Sequence, residues 1–302
     1  MTEKKIIKFT PYKFPEAEIN LFIAEKNLSQ APVIHYNRPN TYEIGYIFSG
    51  QGSYFINNRF YPIRRGMVFF INDCDFHSLQ LESKNIHKAH LCFSGIFLCR
   101  IEKMLSTDFS AFFRERSRNS NYHLQLNNEA AALFEFLISR LSYELEKRRQ
   151  DFLMMINIIM CEILLLLKRN NSPGSLLKYH VYKDSAQRIV LSAVNIIEQN
   201  IGSALSLVSL ASQIRVTPAY LSRIFKETLG VALSHYITGT RLNLAKDLLK
   251  NSNKKILEIA YESGFNDLST FNRAFKKNIR ISPLRYREMH RPDIKMKRSM
   301  FV

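Results

Sequence analysis

Val216-Thr217-Pro218-Ala219-Tyr220-Leu221-Ser222-Arg223-Ile224-Phe225-Lys226 is answered further along the chain by a second stretch. That stretch is Gly264-Phe265-Asn266-Asp267-Leu268-Ser269-Thr270-Phe271-Asn272-Arg273-Ala274-Phe275-Lys276. Each follows a short apolar segment that closes on alanine, Leu207 to Ala211 in the first copy and Ile256 to Ala260 in the second. The order is a short helix, a tight turn, an N-capping residue and a second helix. That is the layout of a helix-turn-helix, whose second helix can enter a DNA major groove. Inside the second helix, Leu221-x-Arg223-x-Phe225-Lys226 matches Phe271-x-Arg273-x-Phe275-Lys276, so a basic residue recurs at one helical phase in both copies.

Thr217 before Pro218 is an N-cap with proline at the first helical position, and Gly230 stands beyond the helix end near Thr228. Tyr220, Leu221, Ile224 and Phe225 form the expected inner stripe, which leaves Pro218, Ala219, Ser222, Arg223 and Lys226 outside. In the second copy Asn266 or Asp267 caps and Phe271 and Phe275 pack inward, with Leu268, Ser269, Asn272, Arg273 and Lys276 outside. Arginine suits guanine and asparagine suits adenine in the major groove, whereas Lys226, Lys276, Lys277 and the capping hydroxyl of Thr217 suit phosphates. A helix from about Ser234 to Lys250 joins the copies and fixes their separation.

These motifs, with Arg241-Leu242-x-x-Ala245-x-x-Leu248-Leu249 between them and Ser282-Pro283-x-x-Tyr286-Arg287 after them, resemble the AraC-type transcription regulators. By that resemblance the base-contacting positions are Ala219, Ser222, Arg223, Leu268, Ser269, Asn272 and Arg273. Two residues depart from the family pattern. Arg215 stands at the turn where glycine is usual, and Ile279-Arg280 stands where Phe-Gly is common. Local strain or added basic contacts are expected at both, without loss of the fold.

Ahead of this region the period shortens. Strands are expected at 42–48, 53–56, 59–63 and 67–71, with turns at 49–52, Asn57-Asn58 and Arg64-Arg65-Gly66. Short strands with regular turns suggest a small barrel or jelly roll. Tyr42-Glu43-Ile44-x-Tyr46-Ile47-x-Ser49-Gly50-x-Gly52, then Gly66 and His77-Ser78, are similar to the cupin-type sensor of the same family. Barrels of this kind can hold a small ligand in their mouth. Inward candidates are His35, Tyr42, Tyr46, Phe48 and His77; each tyrosine also reads as ordinary core, and His77 as a group satisfied in a turn. A metal needs clustered ligands. His35-Tyr36-Asn37 offers one histidine where two are wanted, and His87 and His90 fall on opposite faces of a strand, so no metal or other cofactor is expected. A cupin-type enzyme loses its footing with the metal.

From Asn127 the period becomes helical. Leu133, Leu137, Leu141 and Leu145 mark one helix and Asp151 to Lys168 a second, apolar almost all round. The resemblance places a dimerisation surface on these helices; covering the barrel is the competing role. Asn170 to Ser175 starts a linker. The first thirty residues show no clear element, and Pro11 and Pro15 oppose an early helix.

Composition agrees with this division. The net charge of +17 is uneven: residues 186–302 hold 19 Lys/Arg against 8 Asp/Glu, and residues 1–185 hold 24 against 18. Most of the basic excess thus lies in the shorter part, as a nucleic-acid-binding half requires. The four cysteines show neither metal nor disulfide spacing, and the apolar run Phe152–Leu167 is shorter than the roughly 20 residues of a membrane span. The expected fold is α+β: a cupin-like β-barrel with dimerisation helices over 1–170, a linker over 171–185, an all-α DNA-binding domain with two helix-turn-helix motifs over 186–290, and a basic tail over 291–302. The expected function is a cytoplasmic, sequence-specific regulator with double-stranded DNA, a second copy, RNA polymerase and a small effector as partners. The alternatives are the same DNA binding without small-molecule sensing, and a sequence-neutral binder driven by charge.

Overall fold

The computed structural model describes residues 18–27, 34–35, 41–72, 75–81, 85–118, 121–171 and 185–290. The sensor half carries two antiparallel sheets. The first holds β1 (Ile19–Asn27), β3 (Thr41–Ser49), β6 (Met67–Ile71), β8 (Asn85–Ser94) and β9 (His123–Gln125), in the order β1-β8-β3-β6-β9. The second holds β2 (Ile34–His35), β4 (Gly52–Ile56), β5 (Arg59–Pro62) and β7 (His77–Leu81), in the order β2-β7-β4-β5. The cupin-like fold is present as two facing sheets; among the described residues their strands do not close into one hydrogen-bonded ring. Strand β1, paired along its length with β8, lies where no element was expected. The two-residue turn between β4 and β5 is Asn57-Asn58, with Asn57 in the left-handed region at φ 53°. Asparagine tolerates that conformation better than most residues.

Four helices cover the first sheet: α1 (Gly95–Leu105), α2 (Phe109–Arg118), α3 (Asn128–Lys147) and α4 (Phe152–Arg169). Only the last two are expected from the periodicity of the sequence. Phe134, Leu137, Ile138 and Leu141 of α3 and Ile156, Ile159, Met160, Ile163 and Leu164 of α4 are buried on the sheet. The α3 stripe is therefore rotated from the one expected, with Leu133 and Phe136 facing out. The sequence offers Asp151 as a cap for α4, but it stands at the helix start in the left-handed region and its side chain makes no cap hydrogen bond. No described helix is long and apolar enough to cross a membrane.

The second half contains α5 (Ser185–Gln199), α6 (Leu207–Ile214), α7 (Pro218–Leu229), α8 (Leu233–Asn251), α9 (Ile256–Glu262), α10 (Leu268–Ile279) and α11 (Pro283–His290). It has two cores. One gathers Val190, Val194, Leu210, Leu221, Phe225 and Tyr236 around the first copy; the other gathers Leu242, Leu249, Ile259, Phe271, Phe275 and Tyr286 around the second. Helix α8 contributes to both, as the joining helix must. Most of the expected linker (172–184) and all of the tail (291–302) fall outside the described residues.

Candidate nucleic-acid interface and sensor interior

The two helix-turn-helix units are built by the same local chemistry. Val216 N donates to Ala211 O at 3.0 Å, and Phe265 N donates to Ala260 O at 3.0 Å, closing equivalent turns. Arg215 and Gly264 hold the left-handed position of these turns, at φ 62° and 84°. The recognition helices α7 and α10 also end alike, on Gly230 at φ 76° and Arg280 at φ 69°. Both departures from the family pattern thus sit where a side chain strains the backbone, and the fold tolerates them. Arg215→Gly and Arg280→Gly are each expected to raise the unfolding free energy by roughly 0.5–1 kcal/mol, measured by denaturant titration.

At their starts, Thr217 Oγ1 accepts from Tyr220 N at 3.2 Å, and Asp267 Oδ1 accepts from Thr270 N at 2.7 Å. Those helix-start hydrogen bonds hold the Asp267 carboxyl below its usual pKa. Of the two capping candidates, Asp267 is the one used. Leu221 and Phe225, and Phe271 and Phe275, are fully buried. Ala219, Ser222, Arg223 and Lys226 on α7, and Ser269, Asn272, Arg273 and Lys276 on α10, are exposed on the faces expected to read DNA. Leu268 is half-buried against the second core. Tyr220 is half-buried too, with the Arg223 guanidinium 5.3 Å from its ring. The two key arginines differ. Arg223 pairs with Glu227 at 3.1 Å, an exchangeable surface ion pair, whereas Arg273 Nη2 makes a long 3.4 Å contact to Thr270 Oγ1.

The copies are held in one frame by Arg241 of α8. Its Nε donates to Ile201 O at 3.3 Å and its Nη2 to Ser203 O at 2.9 Å, in the segment between α5 and α6. Gly264, in the turn of the second copy, packs directly on that clamp.

Between the sensor sheets lies an interior that is not wholly apolar. Tyr54 faces Phe69 across it at 4.7 Å, and Ile47, Ile56, Tyr61 and Ile71 line it. Glu43, buried to 2% exposure, hydrogen-bonds His90 Nδ1; its other oxygen lies 3.7 Å from Cys92 Sγ and 4.0 Å from His77 Nε2. Burial pushes both imidazoles below their ordinary pKa; the Glu43 carboxylate opposes this in each ring, and Lys88 reinforces it mainly at His90.

Comparison with known proteins matches this geometry at both ends. The helix-turn-helix domain family aligns with residues 210–289, and the AraC-like ligand-binding domain family aligns with residues 28–159. The chain is an AraC-type transcription regulator. It is similar to the HTH-type transcriptional activator RhaR of Yersinia pseudotuberculosis, 24% identical over 248 residues that cover 82% of each chain. It is also similar to the HTH-type transcriptional regulator YfiF of Bacillus subtilis, 28% identical over 276 residues, 87% of this chain and 82% of the other. Among solved structures, the C-terminal domain of AraT from Geobacillus stearothermophilus is 34% identical, covering 35% of this chain and 88% of that one, with a TM-score of 0.34. The AraC-type chain thus joins a ligand-binding N-terminal domain to a DNA-binding helix-turn-helix domain.

Within this AraC-type sensor three inward expectations need correction. Tyr42, Tyr46 and Phe48 lie on the opposite face of β3, packed beneath the helices: Tyr42 against Phe113, Tyr46 against Phe134, and Phe48 stacked on His87. Tyr46 OH donates to Glu135 of α3 at 2.7 Å. The inward row of β3 is Glu43, Gly45 and Ile47. Period-two alternation sets which residues share a face but not which face looks in, and here both faces of the sheet are covered. His77 does point inward, and His35 pairs with it in register. His87 and His90 lie on opposite faces, as expected. The residues overlooked were Glu43 and His90; a lone carboxylate in an otherwise apolar strand was the signal that could have revealed them.

The buried imidazoles also make an acid response measurable. A base whose pKa is depressed in the folded state binds fewer protons there than in the unfolded chain. Stability is then complete above the ordinary histidine pKa of about 6.5 and falls as pH drops below it. The sensor's thermal midpoint should therefore fall between about pH 7.5 and about pH 5.5, and replacing His77 and His90 together by glutamine should flatten the slope. A midpoint that rises on acidification would show the rings to be charged in the fold.

Proposed function

We propose that this regulator reads two successive major-groove faces with α7 and α10. The single observation that carries the reading is the matched outward phase of Arg223 with Lys226 and Arg273 with Lys276 on two equivalently built helices. Arg223, Asn272 and Arg273 then supply bidentate contacts to bases, with Ala219, Ser222, Leu268 and Ser269 shaping the fit. Thr217, Lys226, Lys276 and Lys277 take phosphates, as do the exposed amides at the starts of α7 and α10. To test this, mixed genomic fragments are bound at rising salt. A few fragments should be retained where the bulk is released; uniform release would support a charge-driven, sequence-neutral binder instead.

The sensor interior, with Glu43, His77 and His90 among apolar and aromatic walls, suits a small ligand that carries hydrogen-bonding groups. The N-terminal domain is then a sensor, and its relatives' names support a regulator over an enzyme. A cytoplasmic location and contact with RNA polymerase follow from the same reading. Homodimerisation is supported by the outer side of α3 and α4. Leu133, Phe136 and Tyr143 on one helix and Met154 and Ile158 on the other are large apolar side chains left exposed. Such a patch marks an interface more often than a solvated surface. Phe136→Asp combined with Met154→Asp is expected to give a monomer in sedimentation experiments while the thermal midpoint holds; an unchanged dimer would move the interface elsewhere.

A further inference from the structure

The sensor touches the two DNA-reading units unequally. Phe55, Phe60 and Phe76, on the outer side of the second sheet, belong to the hydrophobic core of the first unit. Phe76 meets the Tyr236 ring edge-on at 4.9 Å, and Tyr236 packs in turn on Phe225 of α7 at 5.4 Å. Polar contacts frame this seat: Gln80 Nε2 donates to Thr228 O at 2.5 Å, Gln187 Nε2 to Gln80 Oε1 at 3.2 Å, and Asn58 Nδ2 to Glu198 Oε2 at 2.9 Å. Ala219, Ser222, Arg223 and Lys226 of α7 stay exposed, so the contact orients the first unit without masking its reading face. Tyr286 is the counterpart of Tyr236 in the second unit. It packs on Phe275 at 5.6 Å and stacks on His290 at 4.1 Å within its own unit.

One chain of contacts runs from the sensor interior to this seat. His77, whose Nε2 faces Glu43, donates from Nδ1 to the Asp75 carbonyl at 3.2 Å. The Asp75 carboxylate accepts from Asn57 Nδ2 at 2.9 Å. Asn57 is locked on all sides: its Oδ1 accepts from Phe76 N at 2.8 Å, its N donates to Phe76 O at 2.7 Å, and its Nδ2 also reaches Tyr122 OH at 2.5 Å. Its carbonyl accepts from Tyr236 OH at 3.1 Å, across the domain boundary. The residue that turns inward as His77 is thus the immediate neighbour of the one that turns outward into the DNA-binding half, Phe76.

We infer that the Glu43–His77–His90 group of the sensor is coupled to the seat of the first helix-turn-helix through Asp75, Asn57, Phe76 and Tyr236. A small ligand that takes over a hydrogen bond of Glu43 or His77 shifts the start of β7, and with it Asn57 and Phe76, the two residues on which Tyr236 rests. The first reading unit then responds to the sensor directly, and the second only through α8. This deepens the regulatory reading above and rests on it.

Hydrogen–deuterium exchange on the full-length protein without DNA tests the coupling, so a failure here leaves DNA readout standing. Tyr236→Phe removes one hydroxyl and keeps the ring. Amides at 56–58 and 76–80 of the sensor are expected to exchange several-fold faster, with residues 265–286 unchanged. Glu43→Gln, made at the other end, is expected to speed exchange at 228–240 ahead of 265–286. Because the two act on one path, the double variant should fall short of the summed single effects at 76–80. The inference is overturned if Tyr236→Phe loosens α8 alone. Equal loosening of both reading units by Glu43→Gln, or additive effects, would overturn it as well. Should Glu43→Gln fail to fold, Tyr236→Phe carries the test by itself.

Discussion

Gly264→Ala is expected to lower the unfolding free energy of the DNA-binding half by about 3 kcal/mol, roughly 12 °C or more in its thermal midpoint. Two costs add. The residue sits at φ 84°, where an L side chain strains the backbone. A Cβ there would also stand 2.2 Å from Ile201 O and 2.7 Å from Arg241 Nε, a backbone atom and a side chain that is itself anchored. Arg241 cannot yield without releasing the carbonyls of Ile201 and Ser203, so the turn, the clamp and the loop between α5 and α6 fail together. The equivalent position in the first copy separates the two costs. Arg215 occupies a left-handed backbone with its side chain exposed, so it bears the strain without the collision. Calorimetry of the full chain decides: a midpoint within a degree or two of wild type would mean that Arg241 and the loop are not packed on Gly264 as described.

Arg273→Ala is expected to weaken binding to a cognate site by about 1–3 kcal/mol, roughly 5- to 150-fold, while binding to arbitrary DNA changes little. Asp267 caps α10 and Phe271 and Phe275 lock its inner face, so Arg273 is delivered outward from a rigid helix. Among the described residues its side-chain hydrogen bond is the long 3.4 Å one to Thr270, which costs little to break. Arg223 must first leave Glu227, so Arg223→Ala should cost less than Arg273→Ala. Equal losses on cognate and arbitrary DNA would reassign Arg273 to the phosphate backbone. Titrations of both variants against both duplexes at one salt concentration provide the comparison.

The DNA-binding half was legible because its chemistry is local. Capping at Thr217 and Asp267, the glycine after α7, and the period of Leu221, Phe225, Phe271 and Phe275 act within a few residues, and the structure has each of them. The left-handed backbone at Arg215 was visible too, because the family that the chain resembles usually has glycine at that turn. The sensor was legible in its strands and turns but not in its phase. Ile44 and Tyr46 are as buried under helices as Ile47 and Phe69 are between sheets, and no local rule distinguishes two covered faces. Strand β1 was missed because its partner, β8, lies far along the chain. The contact of Phe55, Phe60 and Phe76 with the first reading unit was out of reach for a related reason: an outward aromatic on a strand has the same pattern whether it meets a helix of its own domain or of the next.

The most direct test of the two-reader claim is selection of bound sites from a random DNA pool by the full-length protein at near-physiological salt. Enrichment of two short elements separated by about one helical turn, roughly 10 base pairs, is the expected result. Arg223→Ala should erase one element and Arg273→Ala the other. A pool that enriches a single element, or none with or without candidate ligands, would contradict readout by both helices.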